Sequence, residues 1–310
     1  MIENLNAVDT ALLEVIADMP GGKAPGAVNI RKDSGCASRI TTEDVDIRTK
    51  EDKPGIDIFV RAGASKAVCH IPVIITQSGL TETVYNDFYI GEGAECTIIA
   101  GCGIHNCGED ESRHDGVHTF HVGKGARVTY VEKHYGEGDG GGARNMNPKT
   151  VAFLEEGAFL KMDTSQIKGI DSTKRETRIV CGKDAETVVT ERLQTHGAQV
   201  AVSSMEIVLD GDDAKGRVIS RSVAQERSVQ TFCPKMTGNA KCFGHVQCDS
   251  IIMDEAKISS IPAIVANSTE AELIHEAAIG KIAGDQLLKL QTLGLTREEA
   301  EDRILKGFLA

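Results

Sequence analysis

The chain has 310 residues, 41% of them apolar, enough for a substantial core. Its 46 acidic residues outnumber 34 basic ones, and a formal charge of −12 repels nucleic-acid phosphates and anionic bilayers. The longest apolar stretches, such as Ile71–Thr76, fall far short of the roughly 20 residues that a membrane-spanning helix needs. Met1-Ile-Glu-Asn-Leu-Asn lacks the basic region and apolar run of a secretory signal, and the nine cysteines are odd in number. Together these predict reduced thiols in a cytoplasmic protein rather than a disulfide framework.

In chain order, Leu5, Val8, Leu12, Leu13, Val15 and Ile16 form an apolar stripe that predicts a helix over residues 1–19, ended by Pro20-Gly21-Gly22. A polar connector runs on to about Gly55, so residues 1–54 read as an N-terminal helical segment and connector. From 55 to 282 the helical period fades, and short β-branched runs alternate with Gly, Asp and Asn punctuation.

Within that span a Gly, Asp or Glu tip is repeatedly followed by a small residue that opens a new strand. The alanines are Ala94, Ala126, Ala158, Ala185, Ala214, Ala240, Ala256 and Ala271, at intervals of 32, 32, 27, 29, 26, 16 and 15. Spacings near 15 and near twice 15 point to a strand-turn unit of constant length with some turns disguised, which is the mark of a solenoid. The expectation is a mainly β protein whose residues 55–282 form a parallel β-helix core. Evenly spaced hairpins in an antiparallel sandwich are the alternative.

Two stretches collect residues suited to chemistry. Cys102-Gly-Ile-His105-Asn-Cys107, followed by His114, His118 and His121, is the densest group of soft ligands, although His118 and His121 face opposite sides of a strand. Cys102 is a candidate sulfur-relay thiol. Cys233, Cys242 and Cys248, with His275-Glu276 farther on, form the second group, and thiolate, imidazole and carboxylate all suit iron. The glycine-rich Gly136–Gly142 reads as a flexible loop, and no GxxxxGK[ST] phosphate loop occurs. Helical character returns over residues 283–310, where Thr296 and Glu299 make a capping box for a helix over Arg297–Leu309.

At these residues the sequence resembles the SufB/SufD family of iron–sulfur cluster assembly scaffolds. Gly244-His-Val-Gln-Cys-Asp-Ser-Ile-Ile-Met253 is similar to the family's QCDSLL segment, and His275-Glu-Ala-Ala-Ile-Gly-Lys-Ile282 to its HEATTSKI segment. Gly284-Asp-Gln-Leu-Leu, Leu293-Gly-Leu-Thr-Arg-Glu-Glu-Ala300 and Ile304-Leu-Lys-Gly-Phe308 follow in the family's order. Gly101-Cys102 resembles the GC(S/T)AP segment, with Gly-Ile-His in place of Ala-Pro, and Lys133-His-Tyr stands where the family carries Gln-Asn-Trp.

The resemblance implies a right-handed parallel β-helix between helical segments, in a short, SufB-like, archaeal or ancestral-type member. It implies a scaffold rather than an enzyme, holding a transient iron–sulfur cluster on Cys248, His275 and Glu276. A homodimer would complete the site, a SufC-like ABC-type ATPase would dock on residues 283–310, and apoproteins would accept the cluster. The alternatives are a zinc enzyme like the gamma-class carbonic anhydrases, using His114, His118 and His121, and a SufD-like structural subunit without a cluster.

Overall fold

The computed structural model describes residues 5–310. Helix α1, Ala7–Ala17, begins at Asn6, whose side chain accepts from the Asp9 amide while the Asp9 carboxylate takes the Asn6 N–H, a reciprocal cap. The strands are Ala27–Lys32 (β1), Gly35–Ile40 (β2), Val45–Thr49 (β3), Gly55–Val60 (β4), Ala67–Ile75 (β5), Thr81–Ile90 (β6), Glu95–His105 (β7) and Ser112–Val122 (β8). Then come Arg127–Glu137 (β9), Arg144–Met146 (β10), Lys149–Leu154 (β11), Phe159–Lys168 (β12), Ser172–Cys181 (β13), Glu186–Thr195 (β14) and Val200–Leu209 (β15). Ala214–Ala224 (β16), Val229–Gly238 (β17), Cys242–Ile252 (β18), Lys257–Ser260 (β19), Ala263–Ala266 (β20) and Ala271–Gly280 (β21) precede helices α2, Gly284–Thr292, and α3, Arg297–Leu309.

The strands coil into a parallel β-solenoid with one strand of each turn in each of two facing sheets. The first sheet runs β2-β1-β5-β7-β9-β12-β14-β16-β18-β21, and the second β19-β17-β15-β13-β10-β8-β6-β4-β3, with β11 and β20 completing interrupted rungs. Rungs stack in the interval set by the alanines: Glu95 lies beside Arg127, and Arg127 beside Phe159, each 32 residues on. The antiparallel sandwich is therefore excluded. Gly93, Gly125, Gly157, Asp184 and Asp213 each adopt a left-handed backbone just before an alanine of the series. That alanine's N–H closes the turn, as from Ala126 to the Gly123 carbonyl at 3.0 Å, and its methyl is buried at the corner where the sheets converge. On the opposite corner the turns at Gly197 and Glu226 lead to Gln199 and Ser228 instead, which is why the alanine count skips them.

Inward residues of both sheets make the core, with Phe88 stacked on Phe120 at 4.2 Å between neighbouring rungs. Outside the first sheet, α1 lies so close to β7 that a Cβ on Gly101 would stand 2.2 Å from the Ile16 carbonyl oxygen. The stretch 27–49, expected as a connector, contains three strands. Pairing antiparallel in β1–β2 and β3–β4, they finish the N-terminal edges of both sheets, and their short, charged sequences hide the strand period.

Gly136–Gly142 is packed rather than free. A Cβ on Gly138, Gly140 or Gly142 would lie 2.2, 2.2 or 2.1 Å from the carbonyl oxygen of Asn106, Gly108 or Asp110. The C-terminal end differs from the N-terminal one. There β21 pairs only with β18, and Ile261, Ile264, Ile274 and Ile279 are exposed. No helix among the described residues is long and apolar enough to cross a membrane.

Candidate functional site

At the open end, Cys248 faces inward from β18 and His275 faces inward from β21. Val246 is the register partner of His275, and Cys248 that of Ala277, so the two side chains sit diagonally on adjacent rungs. Cys248 Sγ lies 3.5 Å from His275 Nε2. Burial pushes the Cys248 thiol up to about 11, and burial followed by the neighbouring His245 lowers His275. Near neutral pH the pair is thus a protonated thiol beside a neutral imidazole, two soft donors of which one must shed a proton to bind a metal. Glu276, beside Gln247 in the register, points to the other face of the sheet. Its carboxylate stands 3.5 Å from His245 Nε2 and is 64% exposed. Among the described residues no three His, Cys, Asp or Glu side chains converge as a metal site.

The second centre lies inside the solenoid. Cys102 on β7 is buried, and burial alone would raise its thiol. The charge of His114, then hydrogen bonding to His114 and His134, bring it down to about 7. His114 in turn rises to about 10: burial opposes its charge, but Cys102 and then Glu82 outweigh it. His114 Nδ1 is 3.0 Å from Glu82 Oε1, and Glu82 Oε2 accepts from Arg31 Nε and Ser34 Oγ, each at 2.9 Å. Cys102 and His114 thus favour each other's charged forms, and the Glu82 carboxylate anchors the imidazole.

Deeper in the lumen the polar residues continue from rung to rung. His134 Nε2 lies 3.6 Å from Glu132 Oε1, and Glu132 also accepts from Tyr130 and Arg175. Arg175 stands between Glu132 and Glu191, its Nε 3.7 Å from Glu191 Oε1. Ser203 and Ser220 donate to Glu191 at 2.7 and 3.4 Å, and Ser220 is the register neighbour of Cys248. A small cavity with room for about one water is lined by Glu191, Ser203, Ser220 and Cys248. One polar file therefore connects the surroundings of Cys102 with those of Cys248.

Buried charges are costly and are kept where chemistry or specificity needs them. Against the cost of burial, Arg175 and then His134 hold Glu132 well below the usual carboxylate range. Sequence reasoning missed Glu82, Glu132, His134, Arg175 and Glu191. Their signal was phase: Glu132 and His134 fall in step with the inward Val128 and Tyr130 on β9. Of the three histidines considered for zinc, His114 and His118 face the lumen, while His121 is outside, stacked between Tyr89 and Phe153. The three do not share an ion.

Fold and site define a parallel β-solenoid with buried thiols and charged residues in its lumen and a thiol–imidazole pair at one open end. The family model for the SUF system FeS cluster assembly, SufBD core domain, matches residues 74–308, and the chain belongs to this SufBD family. The iron–sulfur cluster assembly SufBD family protein of Methanocaldococcus jannaschii is 27% identical over 285 residues, covering 91% of this chain and 87% of the relative. That of Archaeoglobus fulgidus is 26% identical, covering 90% of this chain and 73% of its own. That of Methanothermobacter thermautotrophicus strain Delta H is 29% identical over 77% of this chain, which spans 58% of that relative's length.

Proposed function

We propose that the chain is a scaffold on which an iron–sulfur cluster, its cargo, is assembled at the open end of the solenoid. The observation that carries this is the 3.5 Å approach of Cys248 to His275 at an edge where β21 has no further strand to pair with. One chain offers there a thiol, deprotonated as it binds, and an imidazole. A second copy joined through this edge would double the set to four donors, enough for a small cluster, and would cover the exposed isoleucines. Glu276, beside His245 on the outer face, serves as a proton acceptor or a donor to the neighbouring copy.

Cys102 is the sulfur-relay thiol in this reading. Its lowered thiol gives a nucleophile near neutral pH, and the polar file from His134 to Ser220 leads toward Cys248. A SufC-like ABC-type ATPase docks on the C-terminal helical segment, where Leu288 on α2 and Leu293 just past its end are 61% and 74% exposed. Finished clusters pass to apoproteins in the cytoplasm. Anaerobic reconstitution with iron and sulfide, read by metal and acid-labile sulfide content and by light scattering, tests this. Iron and sulfide in a dimeric species are expected. A strictly monomeric chain that takes up zinc but no sulfide would overturn it.

A further inference from the structure

A different thiol stands on the outer surface, just past the end of β7. His105 and Glu137 are register partners on β7 and β9 and face outward, away from the lumen. His105 Nδ1 lies 3.1 Å from Glu137 Oε1, and the Tyr135 hydroxyl donates to Glu137 Oε2 at 3.1 Å. With Nδ1–H directed at the carboxylate, Nε2 is left as an acceptor, and it stands 3.0 Å from the sulfur of the exposed Cys107. Nucleophile, base and orienting carboxylate are thus in the order that activates a thiol.

The turn holding Cys107 is built, not incidental. Asn106 is fully buried, its amide donates to the Asp110 and Gly142 carbonyls at 2.8 and 3.1 Å, and its oxygen accepts from the Gly108 amide at 3.0 Å. The packed glycines at 138, 140 and 142 press on the same turn. None of this contributes to the lumen or to the Cys248 site. Around the thiol the charge is acidic. Asp139, whose carboxyl the nearby thiol lowers, is exposed, as are Glu109, Asp110 and Glu111 nearby in sequence.

We propose that Cys107 accepts a sulfane sulfur from a persulfide borne by a donor of neutral or cationic surroundings, with His105 as base and Glu137 as positioning residue. The inference rests on the reading that the chain assembles clusters and so must receive sulfur. His105 Nε2 takes the Cys107 proton, and the thiolate attacks the outer sulfur of R–S–SH. The Sγ–S bond forms as the donor S–S bond breaks, and the departing R–S⁻ takes the proton from His105. Cys107 ends as a persulfide and the donor as a thiol, with no external oxidant or reductant.

The test treats the full chain with cysteamine persulfide, which is cationic, or glutathione persulfide, which is anionic. Persulfides are then trapped by alkylation and located by peptide mass spectrometry. Cys36, also exposed, has only the Asn29 amide oxygen 3.7 Å from its sulfur and serves as the internal control. Cys107 should be labelled faster than Cys36, and faster by the cationic donor. His105→Gln should slow it at least about tenfold, and Glu137→Gln should move the pH profile of labelling upward while Cys36 stays unchanged. Equal labelling of the two cysteines, or indifference to His105→Gln, would overturn the proposal. Cluster formation by the wild-type chain from iron and inorganic sulfide bypasses Cys107, so it reports on the scaffold reading separately.

Discussion

Cys102 and Cys248 are the same residue type, both buried, yet they part: charged neighbours bring Cys102 down to about 7, and burial pushes Cys248 up to about 11. For Cys102 the lowered value adds stability that is complete above the unfolded value of 9.0 and is lost as pH falls through about 7. For His114 the raised value adds stability that is complete below 6.5 and is lost as pH rises through about 10. Between about 7 and 9 the two slopes oppose each other, so stability measurements hide the pair and spectroscopy must find it. The ultraviolet thiolate absorbance removed by Cys102→Ser should titrate near 7. In His114→Gln it should move well upward, because burial then acts on the thiol with only His134 to oppose it. At this scale Cys248, His275 and Cys102 were legible because they sit in recognisable segments. The lumen acids were not, because a charged residue on a strand ordinarily marks the solvent face.

Among the elements, the polar file is the feature most at odds with an ordinary solenoid core. Arg175 on β13 satisfies both Glu132 and Glu191, so Arg175→Ala leaves two carboxylates buried without their cation. A loss of about 3–5 kcal/mol in denaturant titration is expected, and a loss below about 1 kcal/mol would mean that water already fills the lumen there. The solenoid itself could be read from the alanine corners, because a left-handed tip followed by a small buried residue is imposed by the geometry of the turn. Corners built with Gln199 and Ser228 escaped that reading, as did β1, β2 and β3, whose antiparallel edge pairing leaves little apolar alternation to detect. The capping box at Thr296 and Glu299 was legible to the residue, since its hydrogen bonds are local.

For the whole molecule, the two ends of the solenoid differ. The N-terminal end is finished by hairpins, whereas at the C-terminal end β21 pairs only with β18 and its other edge is open. In α3, Ala300 and Leu305 are already buried, and Arg221 holds its end through the Phe308 carbonyl at 3.2 Å. If the ATPase grips α2 and α3 together, removing residues 297–310 should abolish co-purification of a co-expressed ABC-type ATPase while the circular dichroism of the β-solenoid persists. Retained ATPase would restrict α3 to capping the fold. The most direct test of the scaffold account is the iron and acid-labile sulfide content of anaerobically reconstituted Cys248→Ser beside wild type, with circular dichroism as the folding control. The account predicts that a folded Cys248→Ser chain holds neither iron nor sulfide above background, with His275→Ala intermediate. Full iron and sulfide in Cys248→Ser, lost instead in Cys102→Ser, would contradict it by moving the site into the lumen.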